Sequence, residues 1–270
     1  MNECRIIVTT SGKGGVGKTT TSASIAFGLA KAGKKTCAID FDIGLRNLDL
    51  VCGLERRVVY DLITAIRGEC TVRQALTRHK TNENFYIIAA SQTKNKNALD
   101  IEGVGMVIEE LKKMGFEYII CDSPAGIEKG AMTALYYAHE ALIVTNPEIS
   151  SVRDSDRIIG LLNSKTRASE NGEPEIKRHL LITRYNEKQS LKGRHMSQDQ
   201  ICEVLGFDKP IGIIPEDGNV IQLSNSGDPV IDSNTAAARA YKDVVQRLLG
   251  NDVELKIHQN SSFLKKLFGG

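Results

Sequence analysis

The chain has 270 residues, 41 % of them hydrophobic, and its 35 basic and 33 acidic side chains leave a formal net charge of +2. That is enough apolar material for one large α/β core, and the charge balance excludes a strong overall field drawing in nucleic acid or acidic substrates. The 6 cysteines, at positions 4, 37, 52, 70, 121 and 202, contain no C-x-x-C pair, which argues against a secreted disulfide framework and for a reducing compartment.

From Met1 the chain passes through Arg5 directly into an apolar run, Ile6-Ile7-Val8, so no signal peptide is expected. No apolar stretch approaches the ~20 residues needed to span a bilayer, so the expected location is cytoplasmic. Further continuous runs follow at Cys37-Ala38-Ile39, Tyr86-Ile87-Ile88, Tyr118-Ile119-Ile120, Leu142-Ile143-Val144, Leu180-Leu181-Ile182 and Ile211-Gly212-Ile213-Ile214. Being continuous rather than alternating, they read as strands buried on both faces. Helical patterns lie between them, at about 18–32, 98–113, 127–138, 150–163, 197–205 and 234–249. The alternation predicts an α/β fold with a mostly parallel twisted sheet and helices on both faces. Cys37 and Cys121 fall within strands and read as small buried hydrophobes. Residues 164–178 read as a surface loop, residues 1–250 as one domain and residues 251–270 as a separate tail.

In a parallel sheet, ligands bind beyond the carboxyl ends of the strands. After the first run stands Gly12-Lys13-Gly14-Gly15-Val16-Gly17-Lys18-Thr19-Thr20, which satisfies G-x-x-x-x-G-K-[ST] between a strand and a helix. Glycines let backbone N–H groups turn onto phosphate oxygens, and the helix amino end adds its dipole. Lys18 is expected on the β- and γ-phosphates and the Thr19 hydroxyl on Mg²⁺. Asp40 and Asp42 follow the second run, and Asp42 fits either water-mediated Mg²⁺ binding with orientation of the attacking water or a helix N-cap before Ile43. Asp122, closing the fourth run, has the form of a metal-side carboxylate. Late in the chain, Asn186 and Pro215-Glu216-Asp217 share the same edge, where Asn186 serves equally well as a turn residue.

In the tail, Phe263, Leu264, Leu267 and Phe268 fall on one face of a helix and Lys265 and Lys266 on another, with Ile257 extending the apolar stripe upstream. A short basic amphipathic segment of this kind suits a membrane surface. Burying four large apolar side chains yields roughly 6–10 kcal/mol gross, while ordering the segment costs about 1 kcal/mol per residue. One tail is therefore marginal, and two held together would bind far more tightly.

The second lysine of the loop, Lys13, completes K-G-G-x-x-K-[ST] from Lys13 to Thr19, and on these residues the chain resembles the deviant Walker A family of P-loop ATPases. The resemblance implies ATP and Mg²⁺ as cofactors and an ATP-dependent sandwich homodimer in which Lys13 reaches the partner's nucleotide. It also implies that Asp122-Ser123-Pro124-Ala125-Gly126 is a switch segment, and that Asn186 and residues 215–217 hold the base and ribose. The stretches Asp40 to Asp49 and Ser150 to Arg157, together with the Phe-Leu-Lys-Lys-Leu-Phe tail, narrow the likeness to the family's division-site members. That implies peripheral attachment to an anionic inner membrane surface, a MinC-like division inhibitor and a MinE-like stimulator as partners, and a partner-facing Asp154. The alternative within the family is a DNA-partitioning ATPase of the ParA type. Nothing here forms a basic run of five or more residues, so no nucleic acid is expected.

Overall fold

A computed structural model describes residues 4–92 and 99–259. In chain order its elements are β1 (Arg5–Thr10), α1 (Lys18–Lys31), β2 (Thr36–Asp40), α2 (Leu48–Val51), α3 (Leu62–Ile66), α4 (Val72–Ala75), β3 (Thr77–Arg78), β4 (Phe85–Ile88) and α5 (Ile101–Lys113). There follow β5 (Tyr118–Asp122), α6 (Lys129–Tyr136), β6 (Glu140–Thr145), α7 (Ile149–Leu162), α8 (Arg167–Glu170), β7 (Lys177–Tyr185), α9 (Glu187–Leu191), α10 (Gln198–Leu205), β8 (Gly212–Pro215), α11 (Asn219–Ser226) and α12 (Ala236–Leu248).

The strands form one 8-stranded sheet in the order β3-β4-β2-β5-β1-β6-β7-β8. Every pairing is parallel except β3 with β4, where a two-residue strand closes one edge. Each apolar run expected to be a strand is one, and the side chains of β1 explain why the runs are continuous. Ile6 and Val8 enter a core on one face with Leu111, Leu135 and Ile158, while Ile7 enters a core on the other face with Ile25, Leu29 and Val244. Cys37 and Cys121 are buried in the first of these cores, where burial pushes both thiols well up, as for inert core residues. The loop expected at 164–178 is mostly exposed but contains α8, capped by the hydroxyl of the buried Thr166.

The expected break at Gly250 is not where the chain leaves the body. Residues 251–259 are irregular in secondary structure, yet they lie against the body, with Leu255 and Ile257 packed on the core. Ile257 therefore belongs to a packed extended segment and not to the helical stripe of the tail. The residues expected at a membrane surface, Phe263, Leu264, Lys265, Lys266, Leu267 and Phe268, lie outside the described residues. Among the described residues no helix is long and apolar enough to cross a membrane.

At the amino end of the sheet one carboxylate gathers three elements. Glu140 accepts from Arg5 Nε at 2.6 Å and pairs with His179 Nε2 at 2.8 Å, so β1, β6 and β7 share a charge. Burial pushes its pKa up, but the bonds from His179 and Arg5 outweigh burial and hold it at about 2. A carboxylate depressed in the fold stabilises above its unfolded pKa, and that contribution disappears as pH falls through the folded value. We expect Glu140→Gln to lose about 2 kcal/mol at pH 7 in urea unfolding, and the gap from the parent to close between about pH 4.5 and pH 2.

Candidate functional site

The loop after β1 is shaped by its glycines and pinned from three sides. Gly15 and Gly17 hold positive φ, 76° and 95°, which side chains with a Cβ rarely adopt. Gly17 starts α1, and the helix has no side-chain cap, so its first-turn N–H groups are left for an anion. Thr183 on β7 donates its hydroxyl to the Val16 carbonyl at 2.7 Å. The Gly126 N–H donates to the Ser11 carbonyl at 3.2 Å, tying the switch segment to the loop. Gly12 packs against α7 so closely that a Cβ there would overlap the backbone of Asp154.

Lys18 is 8 % exposed and donates Nζ to Ser11 Oγ at 2.9 Å. Burial lowers its pKa while Asp122 and Asp42 attract the charge. Asp122 stands where the sheet register puts it, paired with Thr9 of β1 on one side and Asp40 of β2 on the other. Asp122 accepts from Ser22 Oγ at 2.7 Å. Burial raises its pKa to about 6, against hydrogen bonds from Ser22 and Thr19 and the pull of Lys18. Thr19, Asp42 and Asp122 thus share one corner with Lys18, an oxygen donor set of the kind that suits a hard divalent cation.

Asp40, which the sequence left without a role, organises the loop that carries Asp42. It is 1 % exposed, and its two carboxylate oxygens accept the N–H groups of Asp42 at 2.9 Å and of Asn47 and Leu48 at 3.1 Å each. Burial and then Asp122 push its pKa up. No helix begins at Ile43. Residues 43–45 are a turn in which the Asp42 carbonyl accepts from Leu45 and Arg46, so Asp42 is not a helix N-cap.

Lys13 sits on the exposed rim. Its Nζ donates to Glu148 Oε2 at 2.5 Å and Ser150 Oγ at 3.1 Å, both at the start of α7. Asp154 lies one turn further along α7, half-buried, with Arg157 4.0 Å away.

The late-chain residues divide. Asn186 caps α9 by accepting from the Gln189 N–H at 3.3 Å, and its Nδ2 donates to Glu216 Oε2 at 3.0 Å, joining the two expected base-side residues. Pro215 is half-buried beside them. Asp217 faces inward instead. It is 7 % exposed and accepts from the Asn219 side chain at 2.8 Å and the Ala237 N–H at 3.5 Å, so it also serves the start of α12. Sequence reasoning missed Ser11, Ser22, Thr183 and Glu148, all of which act by hydrogen bonds between segments far apart in the chain.

This sheet order, with a glycine loop opening α1 and acidic residues on the adjacent strand ends, defines a P-loop ATPase. Residues 4–172 match a family described as AAA domain. The chain is 58 % identical to the septum site-determining protein MinD of Escherichia coli strain K12 over 269 residues, 98 % of this chain and 99 % of that protein. The MinD chain of the MinC:MinD cell division protein complex from Aquifex aeolicus superposes with a TM-score of 0.84 at 40 % identity, covering 94 % of this chain and 99 % of that one. MinD from Pyrococcus horikoshii OT3, complexed with Mg-ADP, superposes at 0.78 with 28 % identity over 91 % and 96 %. The chain belongs to the MinD family of septum site-determining ATPases, and not to the ParA-type DNA-partitioning proteins.

Because Gly12 has no room for a side chain against Asp154, Gly12→Ala is expected to displace the loop without unfolding the sheet. Fluorescent-nucleotide titration should show at least a tenfold loss of affinity, with far-ultraviolet circular dichroism unchanged.

Proposed function

We propose that the chain binds ATP and Mg²⁺ at the Gly12–Thr20 loop, pairs with a second copy across that nucleotide, and as a pair attaches through its tail to an anionic membrane surface. Hydrolysis then separates the pair and releases it. The observation that carries this reading is the position of Lys13, a loop cation on the rim held by an exposed pair with Glu148, whose side chains are 35 % and 48 % accessible, and by the Ser150 hydroxyl. A pair that exposed contributes about 1 kcal/mol at most, so the phosphates of a nucleotide bound by a facing copy compete for Lys13 easily. An added cation delivered from outside the site offsets charge developing on the transferred phosphoryl group.

Within the site Lys18 neutralises the β- and γ-phosphates, and the first-turn N–H groups of α1 hold their oxygens. Thr19, Asp42 and Asp122 would hold Mg²⁺, which when bound offsets phosphate charge. Asp42 orients the attacking water and receives its proton as ATP and water become ADP and phosphate. Asp40 keeps Asp42 in place through the backbone of the turn. Gly126, at φ 83° and bonded to Ser11, lets the switch segment respond to the γ-phosphate.

The pairing of a MinD with MinC in the Aquifex complex supports a MinC-like division inhibitor as partner of this chain, with α7 around Asp154 as part of the surface offered. Stimulation by a MinE-like protein completes the cycle, which keeps the division septum in its place.

Liposome co-sedimentation with ATP, ADP and no nucleotide tests the reading. The full chain should pellet with ATP alone, a chain ending at Gln259 should not pellet at all, and equal binding in the three conditions would sink the proposal. Lys13→Ala should still bind nucleotide within a few-fold of the parent yet lose ATP-dependent pelleting.

A further inference from the structure

The nine residues that follow Gly250 run back along α12, and each successive turn of that helix grips them. Arg247 donates Nε to the Val253 carbonyl at 2.9 Å and Nη2 to the Glu254 carbonyl at 2.6 Å. One turn toward the amino end, Asp243 Oδ2 pairs with His258 Nε2 at 2.7 Å. A turn further, Arg239 Nη2 donates to the Gln259 carbonyl at 2.8 Å. The gripping residues stand at 239, 243 and 247, the i, i+4 spacing that aligns side chains on one helix face. Val253, Leu255 and Ile257 are half-buried while Glu254 and Lys256 are exposed, the period-two alternation of an extended chain with one covered face.

The direction of α12 gives the segment its consequence. The carboxyl end of α12 lies at the amino edge of the sheet, where the Leu248 carbonyl accepts from Arg5 Nη1 and Arg247 Nη1 donates to the Ile211 carbonyl. Its amino end lies at the nucleotide edge, where the Ala237 N–H meets Asp217, two residues beyond β8. Gln259 is held by Arg239, which also donates to the Asn234 carbonyl just before α12. The segment therefore starts at the edge away from the nucleotide and ends near the nucleotide edge.

We propose that residues 251–259 are a strap, latched to α12 by Arg239, Asp243 and Arg247, that delivers the tail to the nucleotide edge and keeps its tether short. The inference rests on the membrane reading of the tail. With the strap latched, only residues 260–262 separate the body from Phe263. With the strap released, nine more residues, about 30 Å of extended chain, join the tether. Effective concentration between two linked sites falls as roughly the three-halves power of tether length, so a fourfold longer tether weakens paired binding about eightfold. The latch makes the two tails of a nucleotide-joined pair act together.

The test uses the full chain, vesicles of mixed phosphatidylglycerol and phosphatidylcholine, and two alterations that leave the nucleotide site untouched. The first is the double substitution Arg239→Gln with Ile257→Ser, which removes one latch and one apolar anchor. The second inserts nine glycine and serine residues after Gln259, which lengthens the tether with the latch intact. The insertion should raise the lipid concentration for half-maximal binding in ATP by about eightfold and the double variant, in which Arg247 still holds Val253 and Glu254, by about two- to fourfold, with nucleotide affinity unchanged. Trypsin cleavage after Lys256, followed by mass spectrometry, should be slow in the parent and fast in the double variant alone. Parental lipid binding by the double variant, or fast cleavage after Lys256 in the parent, overturns the strap. A chain ending at Gln259 that still binds vesicles overturns the membrane reading itself, and the strap with it.

Discussion

A cluster of charge buried at the carboxyl ends of three central strands governs this structure. Asp40 and Asp122 sit side by side in the sheet register, each almost fully buried, and the Lys18 charge acts on Asp122 from under the glycine loop. Burial and then Asp122 raise the pKa of Asp40, burial and then Asp42 raise that of Asp122, and one lysine whose own pKa is lowered by burial does not restore the balance. The fold compensates with donors. Three backbone N–H groups serve Asp40 and the Ser22 hydroxyl serves Asp122. A site arranged this way is suited to a divalent cation on its acidic side and to phosphate on its lysine side.

The sheet and the loop were legible in the sequence because both are local. Strands buried on two faces leave continuous apolar runs, and the seven runs from Ile6 to Ile214 are seven of the eight strands. The missing one, Thr77–Arg78, has two residues and no pattern of its own. The loop was legible because phosphate binding demands its glycines at fixed spacing. The short helices were not, since Leu48–Val51 and Glu187–Leu191 are too brief for a period to show and arise from hydrogen bonds to Asp40 and Asn186. The structural partner of Asp217 was hidden for a related reason. Its place after β8 marked it for the site, while only the return of α12 to the same edge gave it the Ala237 N–H to satisfy.

The carboxyl end illustrates a conflict between two periods. Ile257 stands seven residues before Leu264 and so completes a helical stripe, yet it also ends the alternation Val253, Leu255, Ile257. The tertiary structure selects the alternation, because Arg239, Asp243 and Arg247 offer a row of partners to an extended backbone. What the sequence presented as one long tail is a packed segment followed by a short end. The nucleotide loop and the segment that leads to the tail are thus held on one body. Lys13 links the loop to α7, and α12 links the nucleotide edge to the start of the tail.

The central claim is that nucleotide charge joins two copies by competing for Lys13. Sedimentation velocity of the full chain with Mg-ATP, with Mg-ADP and without nucleotide tests it directly in the absence of lipid. The account predicts a dimer with Mg-ATP alone and a monomer in the other two conditions. A monomer throughout, or a dimer indifferent to the nucleotide, would contradict it.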